Sequence, residues 1–309
     1  MGRTAFIFPG QGAQYCGMGK DFYEVFGTAR KVYELAAEAA GLDVAGLCFE
    51  ENERLNITEY TQIAMLATEV AILKVMEEKG FRADCAAGLS LGEYGALAAA
   101  EVMELPELFW LIRCRGIYMQ EAYPEGGAMT AVLGLDAETV GRICQETDGI
   151  VNIANDNCPG QIVITGAAEA VEAASAKLKE AGAKRCVPLK VSGPFHSSLL
   201  AGAGERLAEK LKEVPVRDPK IPYICNVEAA YVRESASIKK LLAMQVSGTV
   251  RWRETMELML ADGVDTFIEI GPGKTLAGFL KRMSREAKVV SIGTVEELEA
   301  AEKSLVFSA

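Results

Sequence analysis

The chain has 309 residues, of which 50% are hydrophobic and 24% charged, and its formal net charge is −11 at pH 7. These values predict a globular chain of one large domain or two modest ones, with a large core. The acidic balance argues against nucleic acid as a partner, because phosphate binding needs a basic face. No apolar run approaches the roughly 20 residues that span a bilayer, and the N-terminus lacks a signal-peptide pattern, so we expect a cytoplasmic chain with no membrane contact.

The cysteine and histidine content limits the chemistry that the chain can carry. Eight cysteines lie at wide intervals with no C-x-x-C pair, so we expect small buried thiols rather than a disulfide framework. A structural zinc site needs clustered ligands, and the chain contains one histidine. The sequence therefore predicts no metal site.

Taken in chain order, the first part of the sequence predicts a strand, two helices and a strand–turn–helix unit. The run TAFIFPG is typical of a buried strand that ends at Pro9-Gly10, and helical spacing of apolar residues follows over 21–40 and 61–79. A short strand at 83–88 and a helix from 91 to about 103 then flank a single serine. A further helix begins near Pro106 and continues through 119.

The second part predicts a small inserted unit inside a larger domain. Residues 127–189 alternate as strand, helix, strand, strand, helix, strand, which is the ferredoxin-like βαββαβ order. We therefore predict a small subdomain at 127–189 and a larger catalytic domain made of 1–126 and 190–309. The larger domain continues with predicted helices at 197–213, 238–246, 252–262 and 294–303, and predicted strands at 221–227 and 266–270.

The stretch GLSLGEY at 88–94 contains the pattern G-x-S-x-G with Ser90 at its centre. In a nucleophile elbow, the serine occupies a strained turn between strand and helix, and Gly88 and Gly92 are required because larger residues would collide with neighbouring backbone. The amide of Leu91 would then point toward a developing oxyanion. The alternative interpretation is a serine that caps a helix, with glycines that serve packing.

A catalytic serine needs a proton acceptor, and the usual one is histidine. His196 in GPFHSS is the only histidine, so it is the only imidazole available to Ser90. No acidic third member stands out, and a carbonyl of Asn226 or Gln245 could orient the ring instead. The alternative is a capping or core histidine.

The segment GQGAQ after the first strand resembles a dinucleotide-binding fingerprint, but Tyr15 stands where the third glycine is required. A glycine-flanked Gln11 at the end of a strand could instead supply a second backbone donor to an oxyanion. The alternative is an ordinary tight turn.

Arg115 is the most informative charged residue. It shares a helical stripe with apolar residues at 108, 111, 112 and 119, so we expect it to face the interior, while Arg113 faces another way and is the weaker candidate. A buried guanidinium needs an anion and can hold a carboxylate by two parallel hydrogen bonds. The alternative is a structural salt bridge.

Taken together, several motifs resemble one family from end to end. The motifs are FPGQGAQ, GLSLGEY, RGIYMQEAYPEGGAM, NDNCPGQIVITG, GPFHS, Asn226-Val227, QVSGTVRW and IEIGPGKTL. In this order they resemble the malonyl-CoA:acyl carrier protein transacylases of fatty acid synthesis. The resemblance implies a larger α/β-hydrolase-like domain with a parallel sheet and a nucleophile elbow, beside the ferredoxin-like subdomain.

The resemblance also implies an activity and a role for each matching residue. Malonyl-CoA and the phosphopantetheine thiol of acyl carrier protein would be the substrates of a ping-pong transfer, with no bound cofactor. Ser90 would be the nucleophile and His196 the base. The amides of Gln11 and Leu91 would hold the oxyanion, and Arg115 would hold the malonyl carboxylate.

Further residues of the site follow from the same resemblance. Gln245 would present a carbonyl to the histidine, and Phe195 would disfavour a methyl-branched acyl group, by about 1 to 3 kcal/mol at most. Asn155 and Asn157 would lie at the cleft without a specific role.

Two residues depart from the family pattern. Leu89 stands where many members have histidine, a change that leaves the catalytic pair intact. Thr249 stands where proline is common, which we expect to loosen the placement of Gln245 slightly.

Two other functions remain possible from sequence. One is an α/β-hydrolase-type serine hydrolase, although its histidine normally lies near the C-terminus and roughly a hundred residues follow His196 here. The other is a carrier-binding subunit without activity, against which the combination of Ser90, His196 and Arg115 argues. We expect a monomer.

Docking of an acidic carrier protein would need a local basic rim on this acidic chain. The candidates are Lys184, Arg185 and Lys190, or Lys281, Arg282 and Arg285.

Overall fold

The structure is a computed structural model that describes residues 2–191 and 193–304. Strands and helices alternate along most of the chain. The strands are β1 (Arg3–Phe8), β2 (Cys85–Gly88), β3 (Gly127–Leu133), β4 (Val151–Cys158), β5 (Gln161–Ala167), β6 (Arg185–Pro188), β7 (Tyr223–Cys225), β8 (Ala230–Val232), β9 (Val264–Ile270) and β10 (Lys288–Ile292). The α-helices are α1 (Lys20–Val25), α2 (Gly27–Ala40), α3 (Val44–Phe49), α4 (Thr58–Glu78), α5 (Gly92–Ala99), α6 (Leu105–Ala122), α7 (Ala137–Gln145), α8 (Ala168–Glu180), α9 (Ala201–Glu213), α10 (Ile238–Gln245), α11 (Trp252–Ala261), α12 (Thr275–Met283) and α13 (Val295–Ser304).

The larger sheet contains, among the described residues, six strands in the order β10-β9-β1-β2-β7-β8. All neighbours in it are parallel except β7 and β8. β1 and β2 are short apolar runs that are buried on both faces, as parallel strands covered by helices are. The prediction of an α/β fold with a parallel sheet is therefore confirmed.

The register of this sheet places three loops with distinctive motifs side by side. Phe8 at the end of β1 is opposite Gly88 at the end of β2, and Ile7 is opposite Glu269 near the end of β9. The loops GQGAQ, GLSLG and GPGK therefore leave the sheet at its carboxyl edge, where open α/β sheets bind ligands.

Helix α4 forms the centre of the helical layer. Its residues from Thr61 to Leu73 are all buried, and the helix packs against α2 and α6. A helix that is apolar on all sides is a core element rather than a surface one, which explains why α4 shows no polar face.

The second sheet is built from residues 127–188 and has the order β4-β5-β3-β6, with antiparallel neighbours throughout. Helices α7 and α8 pack on it and enclose a separate apolar cluster that includes Val132, Ile164 and Leu178. Strand β4 also forms backbone hydrogen bonds with the segment between α10 and α11. The N–H of Val250 donates to Ala154 O, and the carbonyl of Val250 accepts from Asp156 N.

Several elements differ from the sequence prediction. The helix predicted at 21–40 is two helices, because Phe26 takes an extended conformation (φ −110°, ψ 125°) and packs its ring on Phe22. The structure adds α3, β8, α12 and β10, elements that were not predicted from the sequence. The strand predicted at 221–227 is limited to β7. None of the helices within 2–191 and 193–304 is long and apolar enough to cross a membrane.

Candidate active site

The turn between β2 and α5 holds Ser90 in a left-handed conformation, with φ 56°. Such a conformation costs a non-glycine residue about 1–3 kcal/mol and persists only where the surroundings impose it. A Cβ atom on Gly88 would overlap the backbone of Gly92, and one on Gly92 would overlap the backbone of Phe8. The glycines at both flanks are therefore sterically required, and the predicted strand–turn–helix around Ser90 is present.

Asn226 stabilises this turn from behind. Its Oδ1 accepts a hydrogen bond from Ser90 N at 2.7 Å, and its Nδ2 donates to Gly88 O at 2.7 Å. The sequence allows a carbonyl of Asn226 to orient the His196 ring, but in the structure the Asn226 side chain bonds the serine turn instead.

His196 lies next to Ser90 and is almost fully buried. The distance from Ser90 Oγ to His196 Nε2 is 2.7 Å, and Nδ1 faces the carbonyl oxygens of Gln245 at 2.9 Å and Gly248 at 3.1 Å. A carbonyl can only accept, so Nδ1 carries the hydrogen and the Nε2 lone pair points at the serine hydroxyl. This is the tautomer that a general base requires.

The charge state of His196 follows from its surroundings. Burial and the nearby Arg115 charge lower its pKa to about 4, and the two carbonyl contacts oppose the shift. The ring is therefore neutral at pH 7 and able to accept a proton.

Arg115 reaches the same point from helix α6 and is 1% exposed. Its Nη1 donates to Gln62 Oε1 at 2.6 Å, and its Nη2 lies 3.0 Å from Gln245 Oε1 and 3.4 Å from Ser90 Oγ. Its Nε has no partner among the described residues. None of the described carboxylates forms an ion pair with it, so the guanidinium keeps one unused donor at Nε and directs Nη2 at the serine. Arg113 points elsewhere and pairs with Glu59 at 3.0 Å.

A cleft opens above the serine between the two sheets. Gln11, Leu91, Phe195, Asn155 and Asn157 all line it, so the structure brings every predicted site residue to one place or into direct contact with it. Its other walls are largely apolar: Met119, Met129, Ala131, Val163, Leu189, Val191, Leu276 and Phe279. An apolar cleft with a few convergent polar groups is typical of a small-molecule site.

Two backbone N–H groups at the cleft are available to a ligand. Those of Gln11 and Leu91 have no acceptor among the described residues, whereas the neighbouring amides of Gly12 and Gly92 do. Leu91 also immediately precedes α5, where the helix dipole favours negative charge.

Three features of the site were missed from sequence. Gln62 was missed, although a glutamine within the largely apolar run of α4 was a usable signal. The contact between His196 and the backbone carbonyl of Gly248 could not be predicted from sequence, because every residue carries a backbone carbonyl. Helix α12, which contributes Phe279, was also missed, although Leu276, Phe279 and Leu280 are buried at helical spacing and were a usable signal.

Thr249, which we expected to loosen the placement of Gln245 slightly, forms a side-chain hydrogen bond of its own. Its hydroxyl donates to Ile153 O at 2.7 Å, which ties the segment after α10 to β4. Leu89 contacts Gly10 and lines the cleft without touching the Ser90–His196 hydrogen bond.

Fold and site together place a serine hydroxyl, a neutral histidine and a buried arginine in one cleft, and comparison with known proteins gives the class. The model of the acyl transferase domain family matches residues 5–302, so the protein is an acyltransferase.

Similar proteins narrow this class further. The chain is 44% identical over 310 residues to the malonyl CoA-acyl carrier protein transacylase of Bacillus subtilis, covering 99% of this chain and 98% of that protein. A crystal structure of MCAT from Streptococcus pneumoniae superimposes with a TM-score of 0.95 at 44% identity, covering 98% and 100% of the two chains. The chain therefore belongs to the malonyl CoA-acyl carrier protein transacylase family. A malonyl-transacylase solved in complex with its type II PKS acyl-carrier protein also matches, with a TM-score of 0.95 and 39% identity over 98% of this chain and 100% of that one.

Proposed function

We propose that this enzyme transfers the malonyl group from malonyl-CoA to the phosphopantetheine thiol of acyl carrier protein and so supplies fatty acid synthesis. The observation that carries the proposal is the position of Arg115, whose Nη2 lies 3.4 Å from Ser90 Oγ in a buried site. In a malonyl ester of Ser90, one methylene separates the ester carbonyl from the free carboxylate, so a cation at this distance fits a short diacid. A neutral acyl group would leave the guanidinium without an anionic partner.

The first half of the reaction acylates the enzyme. His196 Nε2 takes the Ser90 hydroxyl proton while Oγ forms a bond to the thioester carbonyl carbon of malonyl-CoA. The resulting oxyanion accepts hydrogen bonds from the amides of Gln11 and Leu91. The tetrahedral intermediate then collapses, the carbon–sulfur bond breaks, and the His196 proton goes to the coenzyme A sulfur.

The second half reverses these steps with another thiol. The carrier protein's phosphopantetheine thiol gives its proton to His196 and attacks the malonyl-serine carbonyl. Collapse breaks the ester bond and returns the proton to Ser90 Oγ, so the free enzyme is regenerated. Arg115 holds the malonyl carboxylate throughout and keeps the carbonyl against the two amides. Phe195 narrows the space beside the methylene and favours malonyl over a methyl-branched group.

Intact-mass measurement tests the proposal directly. After mixing with malonyl-CoA, we expect one malonyl group on the protein, and this group should move to holo acyl carrier protein when that is added. Rapid loss of the adduct to water would indicate a hydrolase, and absence of any adduct would indicate a carrier-binding protein without activity.

The low pKa of His196 predicts an unusual acid limb of the pH–rate profile. A protonated imidazole cannot accept the Ser90 proton, so kcat/KM for acylation should fall only as the pH drops through about 4. Part of this lowering comes from the Arg115 charge, which a bound malonyl carboxylate neutralises, so the limb in kcat should lie at higher pH than the limb in kcat/KM. Rapid-mix acylation by a malonyl thioester of N-acetylcysteamine, from below pH 4 to neutral, measures both. A kcat/KM limb at the ordinary histidine value of 6.5 would contradict the prediction.

We further propose that the two predicted basic clusters form one docking rim. Arg282 donates to Gln161 Oε1 at 2.8 Å, and Gln161 lines the cleft. Beside it, a Cβ on Gly160 would lie 3.7 Å from Gly134 Cα, and one on Gly134 would contact the Lys184 side chain. The clusters around Lys184 and Arg282 therefore flank the same turn at the cleft, rather than being alternatives.

Charge reversal on this rim should weaken carrier binding alone. For Lys281→Glu we expect the KM for acyl carrier protein to rise at least about threefold, because rim charges steer association, with KM for malonyl-CoA unchanged. Steady-state kinetics with each substrate varied measure this. Lys31→Glu, an exposed reversal on α2, is the matched control. An equal effect of both changes would show that only net charge matters.

The proposal also includes the division of the fold into two subdomains. The element order β3-α7-β4-β5-α8-β6 supports a ferredoxin-like subdomain at 127–189, inserted into an α/β-hydrolase-like domain of 1–126 and 190–309. Monomeric state and cytoplasmic location stay predictions from sequence.

A further inference from the structure

The side-chain amide of Gln245 lies at the centre of the site, and both its nitrogen and its oxygen form hydrogen bonds. Its Nε2 lies 2.7 Å from Glu93 Oε2, 2.8 Å from Ser90 O and 3.3 Å from Asn226 Oδ1. Its Oε1 accepts from Arg115 Nη2 at 3.0 Å. The amide therefore separates three acceptors on one side from a guanidinium donor on the other.

This arrangement is chemically consistent in one orientation of the amide. Ser90 O is a backbone carbonyl and can only accept, and an ionised Glu93 can also only accept. If the Gln245 amide turned by 180°, its oxygen would face these acceptors and its NH₂ group would face the Arg115 donor. Both contacts would then be repulsive.

Glu93 is the strongest of the acceptors that decide this orientation. It is fully buried, and its Oε2 accepts from Asn226 N at 3.1 Å as well as from Gln245. Hydrogen bonds to a charged group are roughly twice as strong as neutral ones. Burial raises the pKa of Glu93 to about 7, while its two hydrogen bonds and the Arg115 charge favour the ionised form. The reaction steps above do not use this carboxyl.

We propose that Glu93 is a positioning residue for acyl-group selection: it holds the Gln245 amide with Oε1 toward Arg115 and thereby keeps the guanidinium directed at the acyl group on Ser90. The inference rests on the proposed function, in which Arg115 holds the malonyl carboxylate. Selectivity for an acyl group with a carboxylate would then depend on the carboxyl group of Glu93, which does not contact the substrate.

Loss of this acceptor should affect malonyl and acetyl groups differently. Without it, Gln245 is held at Nε2 only by neutral oxygens, and Arg115 loses an acceptor that is fixed in position. An acetyl group makes no use of the guanidinium, so its transfer should be less sensitive to the orientation of the Gln245 amide. A purely structural role of Glu93 would instead lower both transfers together.

The test compares three variants by the ratio of kcat/KM for malonyl-CoA to that for acetyl-CoA. We expect Glu93→Met, which removes the acceptor, to lower this ratio at least tenfold, mainly through KM for malonyl-CoA. Glu93→Gln, which retains an acceptor oxygen, should keep the ratio within threefold of the unmodified enzyme. The matched control is Glu69→Met, because Glu69 is equally buried and neither of its carboxyl oxygens has a partner among the described residues. Its ratio should be unchanged.

The outcomes separate this inference from the function on which it rests. An unchanged ratio in Glu93→Met, or a parallel loss of both transfers, would overturn the positioning role. If Glu93→Met does not fold, the same ratio measured for Gln245→Met tests the inference. This change removes the side-chain amide but leaves the backbone carbonyl that contacts His196. Arg115→Ala is measured alongside: if it retains the malonyl preference, the proposed function itself fails. If it loses the preference while Glu93→Met and Gln245→Met keep it, only the inference fails.

Discussion

Ser90→Ala is expected to abolish the mass increase by one malonyl group that the unmodified enzyme shows with malonyl-CoA. The alanine has no hydroxyl, and His196 then faces a methyl group instead of the oxygen that lies 2.7 Å from its Nε2. No covalent intermediate can form, so transfer to the carrier protein should fall by several orders of magnitude, as when the nucleophile of a serine–histidine enzyme is removed. Intact-mass spectra and transfer assays measure the two effects.

The control for this change is Ser175→Ala. Ser175 lies on helix α8, and its hydroxyl donates to Val171 O away from the cleft. Labelling should be unchanged in this variant. A Ser90→Ala protein that still acquires the malonyl group would show that another residue is the nucleophile and would refute the assignment. The Ser90 turn should stay folded, because its conformation is fixed by the flanking glycines and by Asn226.

Arg115→Ala is expected to remove the preference for malonyl over acetyl groups. Breaking a buried charge pair costs about 3–5 kcal/mol, which corresponds to a loss of about two to four orders of magnitude in kcat/KM for malonyl-CoA. Acetyl transfer should be retained or improved, since the acetyl group has no carboxylate and the smaller side chain opens the pocket. Transfer rates with malonyl-CoA, acetyl-CoA and methylmalonyl-CoA measure the change.

Arg113→Ala provides a matched control on the same helix. Arg113 is half-buried and pairs with Glu59, so its loss should cost some stability without a change in selectivity. Circular dichroism and thermal unfolding of both variants separate misfolding from a specific loss. If Arg115→Ala kept the preference for malonyl, the carboxylate would have to be held elsewhere in the cleft.

The sequence was sufficient for the residues that carry distinctive chemistry. Ser90 is flanked by glycines at fixed spacing, and His196 is the sole imidazole, so each could be identified without knowledge of the fold. The burial of Arg115 followed from its place on an apolar helix stripe. The order of strands and helices at 127–189 was also predictable, because strong periodicity distinguishes the two kinds of element.

The parts that could not be predicted depend on backbone atoms and on long-range placement. The carbonyls of Gln245 and Gly248 that face the histidine have no sequence signature, because every residue carries the same group. Asn226 could be placed near the site but not on the correct partner, since either role suits an amide. Phe26 divides a continuous helical pattern because tertiary packing of its ring outweighs helix propensity.

The hydrogen bonds of the site connect distant parts of the chain. Ser90 and His196 are 106 positions apart, and Gln245 Nε2 reaches the Ser90 carbonyl across 155 positions. Contacts of such separation form late in folding, because loop-closure entropy opposes them until the intervening structure is in place. A nascent or partly folded chain therefore has an unpaired serine with ordinary low reactivity. In the proposed mechanism, an acyl ester can therefore form only when both sheets have closed around the cleft.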